Sequence, residues 1–265
     1  MEMSRFRATL AYDGTAYLGF QRQSDPRTVQ GTLERAIQQV TKQESVTVIG
    51  AGRTDTGVHA SGQVITFGVV WKYSDEILLK AVNAVLPDDI ALQDLTRLTG
   101  DAQNFNPRFD AVKRLYRYTL YESNQRQPLL TRYAWHMRTP LNGEVMHQAA
   151  ALLIGTHDFG AFGKPPKGDN TVRTVYHSEW TRQPETFGAR WEYVVEANAF
   201  LQHMVRRIVG MVVDVGRGWQ TLEQFETAFR NAKIDHAVTV APPQGLVLEQ
   251  VTYKDRIAGD APAED

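Results

Sequence analysis

Cysteine is absent from all 265 residues. That excludes disulfide bonds, iron–sulfur ligation, thiolate zinc sites and every cysteine nucleophile. Long apolar runs are missing too. The most apolar stretch, Leu201 to Val215, is interrupted by His203, Arg206, Arg207 and Asp214, so no spanning helix of about 18 apolar residues is expected. The opening residues MEMSRFRATLAYDG contain no continuous apolar core and no small-residue cleavage site, so they do not read as a secretory signal. A soluble, cytoplasmic protein with no membrane partner is the expectation. Metal-ligand spacing is also lacking. The 7 histidines include no His-Glu-x-x-His pair, and no metal is expected.

Lysine is scarce. Only 8 of the 29 basic residues are lysine and 21 are arginine, the side chain that makes bidentate phosphate contacts and stacks on bases. The net charge of −1 gives no overall field, so nucleic-acid binding would need a local basic face. Apolar residues make up 42% of the chain, enough for a packed core.

The pattern is α+β in two similar halves. Phe6, Ala8, Leu10 and Tyr12 alternate on one strand; Tyr116, Tyr118 and Leu120 alternate on another, with Leu115, Arg117, Thr119 and Tyr121 on its opposite face. A helical pattern follows each. Val29, Leu33, Ile37 and Val40 lie behind a Thr28 N-cap, and Val145, Met146, Ala149, Leu152 and Leu153 repeat the theme. Further strands are predicted at Val46–Ile49, Val64–Val69, Ile90–Leu92, Trp191–Ala197 and Leu246–Tyr253. Further helices are predicted from Asp75 to about Val85, over Leu201–Val215, and after the capping box Thr221-x-x-Gln224. The join falls in Asn104–Asp110, dividing the chain into residues 1–106, 107–256 and an acidic tail, 257–265.

One segment carries chemistry: Gly50-Ala-Gly-Arg-Thr-Asp-Thr-Gly-Val-His-Ala-Ser-Gly-Gln-Val64. It joins two predicted strands, and its glycines permit a tight loop with close backbone approach. The loop displays the Asp55 carboxylate with Arg53 two residues before it and His59 four after. A plain turn aspartate has the same appearance, and three chemical readings compete with that one. A phosphate loop would need a Gly-Lys-Ser/Thr ending, which is missing. An aspartic protease matches Asp55-Thr56-Gly57 but requires a second such tripeptide or a symmetric dimer. The third reading is a carboxylate that acts on a nucleobase.

The sequence resembles the bacterial tRNA pseudouridine synthase A family along nearly its whole length. Arg53-Thr-Asp-Thr-Gly-Val-His-Ala60 matches that family's catalytic motif. Four more segments agree in order and spacing: Tyr12-Asp-Gly-Thr-Ala-Tyr-Leu-Gly-Phe-Gln-Arg-Gln23, Thr28-Val-Gln-Gly-Thr-Leu-Glu34, Leu115-Tyr-Arg-Tyr118 and Asn198-Ala-Phe-Leu-Gln-His-Met-Val-Arg-Arg-Ile-Val-Gly210. The chain departs from the family at Phe20, where tryptophan is common, at Leu115, and in the Phe162–Arg173 loop.

The resemblance implies two ferredoxin-like (RRM-like) halves forming one central antiparallel sheet with flanking helices and a basic cleft at Asp55. It implies a homodimer acting without cofactor on uridines 38, 39 and 40 of the tRNA anticodon arm. It makes Asp55 the catalytic carboxylate, Arg206 the arginine that holds it ionised, and Tyr116 the aromatic against the target base. Arg53 is then placed to aid base extrusion or to contact phosphate. His59 is either a backbone contact or a structural cap, and Gln21 and Arg173 are candidate substrate contacts. Tyr118 reads as core and Arg207 as a surface or phosphate group. The non-enzymatic alternative, an RRM-like RNA-binding module, would need Lys/Arg-Gly-Phe-Gly/Ala-Phe aromatics on a central strand; none occurs.

Overall fold

A computed structural model describes residues 2–165, 167–234 and 239–254; the expected acidic tail, 257–265, lies outside them. The chain forms two compact units. The first runs to Val112 and takes up the chain again from Leu248; the second is Lys113–Val247. Both are mixed α+β with largely antiparallel strand pairing.

In the first unit the order is β1 (Met3–Tyr12), α1 (Val29–Thr41), β2 (Val48–Gly50), β3 (His59–Val70), α2 (Asp75–Asn83), β4 (Ile90–Leu92) and β5 (Thr96–Leu98). β1 lies between β3 and β4, with β5 also on β1 and β2 on β3. The β1/β3 register pairs Phe6 with Phe67 and slips between Leu10 and Tyr12, so that Tyr12 meets Ala60 at the start of β3. Thr28 caps α1 by accepting a hydrogen bond from Gly31 N, satisfying one of the helix's orphan donors. Val29, Leu33 and Ile37 are fully buried beneath it, each worth ~1.5–3 kcal/mol relative to exposure. Phe6 stacks on Phe67 at 5.6 Å between centroids.

The second unit begins with β6 (Ala111–Glu122) and continues through β7 (Trp135–Met137), α3 (Gly143–Ala151), β8 (Gly155–Asp158), β9 (Val172–Glu185), β10 (Gly188–Ala197), α4 (Met204–Gly216) and α5 (Leu222–Asn231). Its sheet runs β6-β10-β9-β8, with β7 parallel to β6. β10 alternates without a break, burying Ala189, Trp191, Tyr193, Val195 and Ala197. Trp180 of β9 stacks on Tyr193 at 5.0 Å. Tyr118 is fully buried and donates its hydroxyl hydrogen to Pro242 O at 2.8 Å, a core role as its strand position predicts. The chain then returns to the first unit as β11 (Leu246–Tyr253), which pairs with β3.

The expected helices form with modest shifts at their ends, and the capping box at Thr221 and Gln224 is present with both hydrogen bonds. β5, β7, β8 and β9 were not expected. β9 occupies a stretch that carries no clean alternation, because a bulge at its Val175 end lets Tyr176 drop out of the pairing. Among the described residues no helix is long and apolar enough to cross a membrane.

Candidate active site

Asp55 sits half-buried on the loop between β2 and β3, where Thr54 is buried and Arg53 and Thr56 are exposed. Val58 N donates to Asp55 O at 3.1 Å, closing a turn whose third residue, Gly57, has φ +77°. That is the left-handed conformation a type II turn requires, and glycine adopts it without steric cost. The turn fixes the Asp55 backbone in place.

The anchors come from the Tyr12–Gln23 segment. Phe20 N donates to Thr54 O at 3.1 Å and Gly57 N to Tyr17 O at 3.3 Å. The hydroxyls of Tyr12 and Thr54 share a buried hydrogen bond of 2.8 Å. Gly19, at φ +87°, lies so close that an added Cβ would stand 2.8 Å from Thr54 O. Gly14 approaches Val58 in the same way, with 2.0 Å from a built Cβ to its carbonyl oxygen. The early motif is therefore the bed on which the aspartate loop rests. Sequence reading found the segment but no local signal tells which backbone it presses against.

His59 opens β3 and is only 4% exposed. Its Nδ1 stands 3.0 Å from Gly14 N and 3.0 Å from Asp13 Oδ1. One ring nitrogen cannot serve both at once: unprotonated it accepts from Gly14, protonated it donates to Asp13. Either way the imidazole joins the loop to the bed, which favours the structural of its two expected roles. Arg53 Nε donates to Gln21 Oε1 at 3.0 Å, so two of the candidate substrate contacts are already joined to each other.

The remaining candidates lie in the second unit. Tyr116 is half-buried on β6, opposite Val195 of β10, with its ring edge-on to Phe200 at 5.0 Å. Arg206 lies in the first turn of α4. Its Nε donates to Ala241 O at 2.8 Å, and Ala241 N donates back to Arg206 O at 3.0 Å. Gly210, one turn on, lets the Thr239–Ala241 stretch lie against the helix; a Cβ there would stand 2.0 Å from Thr239 O. His203, the N-cap of α4, has φ 62°, a left-handed conformation uncommon for a side-chain-bearing residue. Burial pushes the Tyr118 phenol far above its ordinary value, with the nearby Arg206 charge opposing the rise. Arg173 stands at the start of β9, its guanidinium donating to Asn170 O at 3.1 Å and Val172 O at 2.6 Å; burial lowers its pKa. Arg207 is half-buried. Among the described residues no group of three or more His, Asp or Glu side chains is arranged to hold a metal ion.

Comparison with known proteins decides the family. The family model for tRNA pseudouridine synthase matches residues 8–110 and 149–254. This chain belongs to the tRNA pseudouridine synthase family. A tRNA pseudouridine synthase A of Pseudothermotoga lettingae is 41% identical over 95% of this chain and 100% of that protein. A second, from a Geobacillus species, is 39% identical over 94% of this chain and 98% of its own length. Among solved structures, the archaeal box H/ACA Nop10–Cbf5 complex aligns with 79% of this chain and 44% of that one, at 11% identity and a TM-score of 0.34. The family converts uridine to pseudouridine in tRNA, and this chain is an isomerase of that family.

Proposed function

We propose that the protein isomerises uridine to pseudouridine at positions 38, 39 and 40 of the tRNA anticodon arm, with Asp55 as its catalytic carboxylate. The reaction breaks the N1–C1′ bond, rotates the base and joins C5 to C1′. The C5 proton leaves and N1 regains one, so atoms balance without redox change or an added group. Asp55 acts as nucleophile, or as the ion-pair partner of the separating sugar and base. Arg206 keeps it ionised in a dry site. Tyr116 stacks on the base and assists removal of the C5 proton. Arg53 fills the stack as the base leaves, offsetting an extrusion cost of a few kcal/mol. Gln21 and Arg173 contact substrate, and His59 holds the loop.

The observation that carries this reading is the presentation of Asp55. An acidic side chain on a turn whose backbone is tied to the Tyr12–Gln23 segment at Thr54 and Gly57 is pre-organised, and pre-organisation is what a reaction centre requires. The family match supplies the chemistry. The strand succession β1-α1-β2-β3-α2-β4, with spatial order β4-β1-β3-β2, supports a ferredoxin-like first half; the second unit follows a different order, β6-β10-β9-β8. A cytoplasmic homodimer acting without a cofactor completes the reading. Chemical mapping of pseudouridine on a mixed tRNA pool tests it. New pseudouridine confined to positions 38–40 is expected, and modification elsewhere, or none, overturns it.

A further inference from the structure

Behind Gln21 and Arg53 runs a side-chain hydrogen-bond chain whose inner members, Glu34 and Gln30, have no part in the reaction as described. It starts at Glu34, a carboxylate only 3% exposed on α1. Glu34 Oε1 accepts from Val48 N and from Gln30 Nε2, both at 3.0 Å, and its Oε2 accepts from the Arg22 guanidinium at 3.0 Å. Gln30, 6% exposed, also donates from Nε2 to Val48 O at 3.0 Å. Its Oε1 accepts from Arg22 N at 2.8 Å and from Gln21 Nε2 at 2.9 Å. Gln21 Oε1 then accepts from Arg53 Nε at 3.0 Å.

The direction of this chain is fixed. A side-chain amide can usually be turned end for end, but a backbone carbonyl only accepts and a backbone N–H only donates. Val48 O therefore dictates which end of Gln30 is NH₂, and Arg22 N dictates which end is oxygen. With Gln30 locked, Gln21 has to present NH₂ to it, which leaves the Gln21 oxygen facing outward. A guanidinium is donor only, so Arg53 finds an acceptor of the correct polarity at a set place. At its inner end, where Glu34 and Gln30 are buried with their polar atoms bonded, such a chain holds its members in one geometry, and from there it sets the polarity that Gln21 presents to Arg53.

We propose that Gln30 is a positioning residue for the isomerisation, acting through Gln21 to aim Arg53. It touches no substrate. Its effect is to hold the Arg53 guanidinium in one direction while the target base leaves the stack. This inference rests on the role given to Arg53 above.

The test is a double-mutant cycle between Gln30→Met and Arg53→Ala in the full-length protein, read as single-turnover rate at saturating tRNA, with tRNA affinity and thermal unfolding measured alongside. Methionine matches the length of glutamine and removes both polar ends. The expected result is that Gln30→Met alone slows the rate roughly fivefold to tenfold, with affinity little changed. On the Arg53→Ala background it should add almost nothing. A tRNA mismatched at the target pair should restore much of the rate to both single variants, because less unpairing work remains. A merely structural Gln30 would lower the rate by the same factor on both backgrounds and on both RNAs, and that outcome overturns the proposal. If Arg53→Ala alone leaves the matched rate unchanged, the extrusion role of Arg53 fails, and the relay fails with it. Should Gln30→Met not fold, Gln21→Met at a half-buried position carries the same cycle; because Gln21 also contacts substrate, its affinity loss is set aside by reading only the rate at saturating tRNA, with additivity with Arg53→Ala again the overturning result.

Discussion

The two units present their candidate groups in opposite ways. In the first, Asp55 and Arg53 stand on an irregular loop, and nearly everything that fixes them comes from elsewhere in the sequence. The Tyr12–Gln23 segment supplies backbone bonds and glycine contacts, and α1 supplies an amide chain. In the second, Tyr116 and Arg206 are carried by a regular strand and a regular helix, whose own ladder fixes their backbone. A loop group can be given an arbitrary direction but depends on its supports. A strand or helix group takes its direction from the element and survives the loss of a neighbour better. Substitutions at supports should accordingly affect the first unit's chemistry more than the second's.

The largest effect belongs to the loop group itself. Asp55→Asn keeps size and removes charge, so fold and tRNA affinity should persist. Turnover should fall on the order of ten-thousandfold, as for other residues that carry the chemistry. Tritium release from 5-[³H]uridine tRNA measures this, and near-normal release from a folded variant would sink the assignment.

Next comes the helix group. Arg206→Ala should slow single turnover by roughly a hundredfold, the scale of losing one charged stabiliser in a site, with binding and its salt dependence nearly unchanged. Arg207→Ala should do the reverse, weakening binding modestly and making the salt slope shallower by about one, with the saturated rate near normal. Binding and rate measured separately over a salt series distinguish the two. A pure binding defect in Arg206→Ala would return that residue to the phosphate contacts.

A support mutation then asks whether the loop depends on its bed. Gly19→Ala puts a side chain at φ +87° and 2.8 Å from Thr54 O. The left-handed backbone alone costs ~1–2 kcal/mol, and the Thr54–Asp55 backbone must shift to make room. A displacement approaching 1 Å at a reacting group costs about a hundredfold in rate, so activity should fall further than stability explains. Chemical unfolding and single-turnover rates on the same preparation check it. If the rate stays normal, the Asp55 loop does not need this contact.

How far the sequence discloses these arrangements depends on how local their causes are. Thr28, Thr221 and Gln224 act within one helical turn, and their caps are readable from the chain. β10 is readable because every second residue faces the core. β9 is not, since its bulge shifts the alternation between Val175 and Ser178, and strands of three or four residues such as β5, β7 and β8 carry too few positions to show a period. The Asp55 loop is legible as a motif, while its support is not. Gln30 and Glu34 look like the wet face of a helix, yet both are buried. Their partners, Val48 and Arg22 for Glu34 and Gln21 for Gln30, lie outside the helix; Gln21 in turn reaches Arg53 across 32 positions, and no spacing rule links residues so far apart.

The smallest effect is the control that gives the others meaning. α5 bears none of the residues given a catalytic or substrate role, and its capping box is complete: Gln224 N donates to Thr221 Oγ1 at 3.1 Å, and Thr221 N donates to Gln224 Oε1 at 2.9 Å. Thr221→Ala removes the first bond and leaves an orphan donor at the helix start. It should destabilise the protein by about 1 kcal/mol. Phe225 and Phe229, which α5 buries against Phe162 at 6.1 Å and 5.5 Å between centroids, should keep the helix docked. The rate per folded molecule should therefore stay at the wild-type value, in contrast to Gly19→Ala, where a comparable loss of stability comes with a loss of rate. Should Thr221→Ala slow single turnover as much as Gly19→Ala does, general loosening of the fold would account for both, and the special dependence of the Asp55 loop on its bed would be refuted.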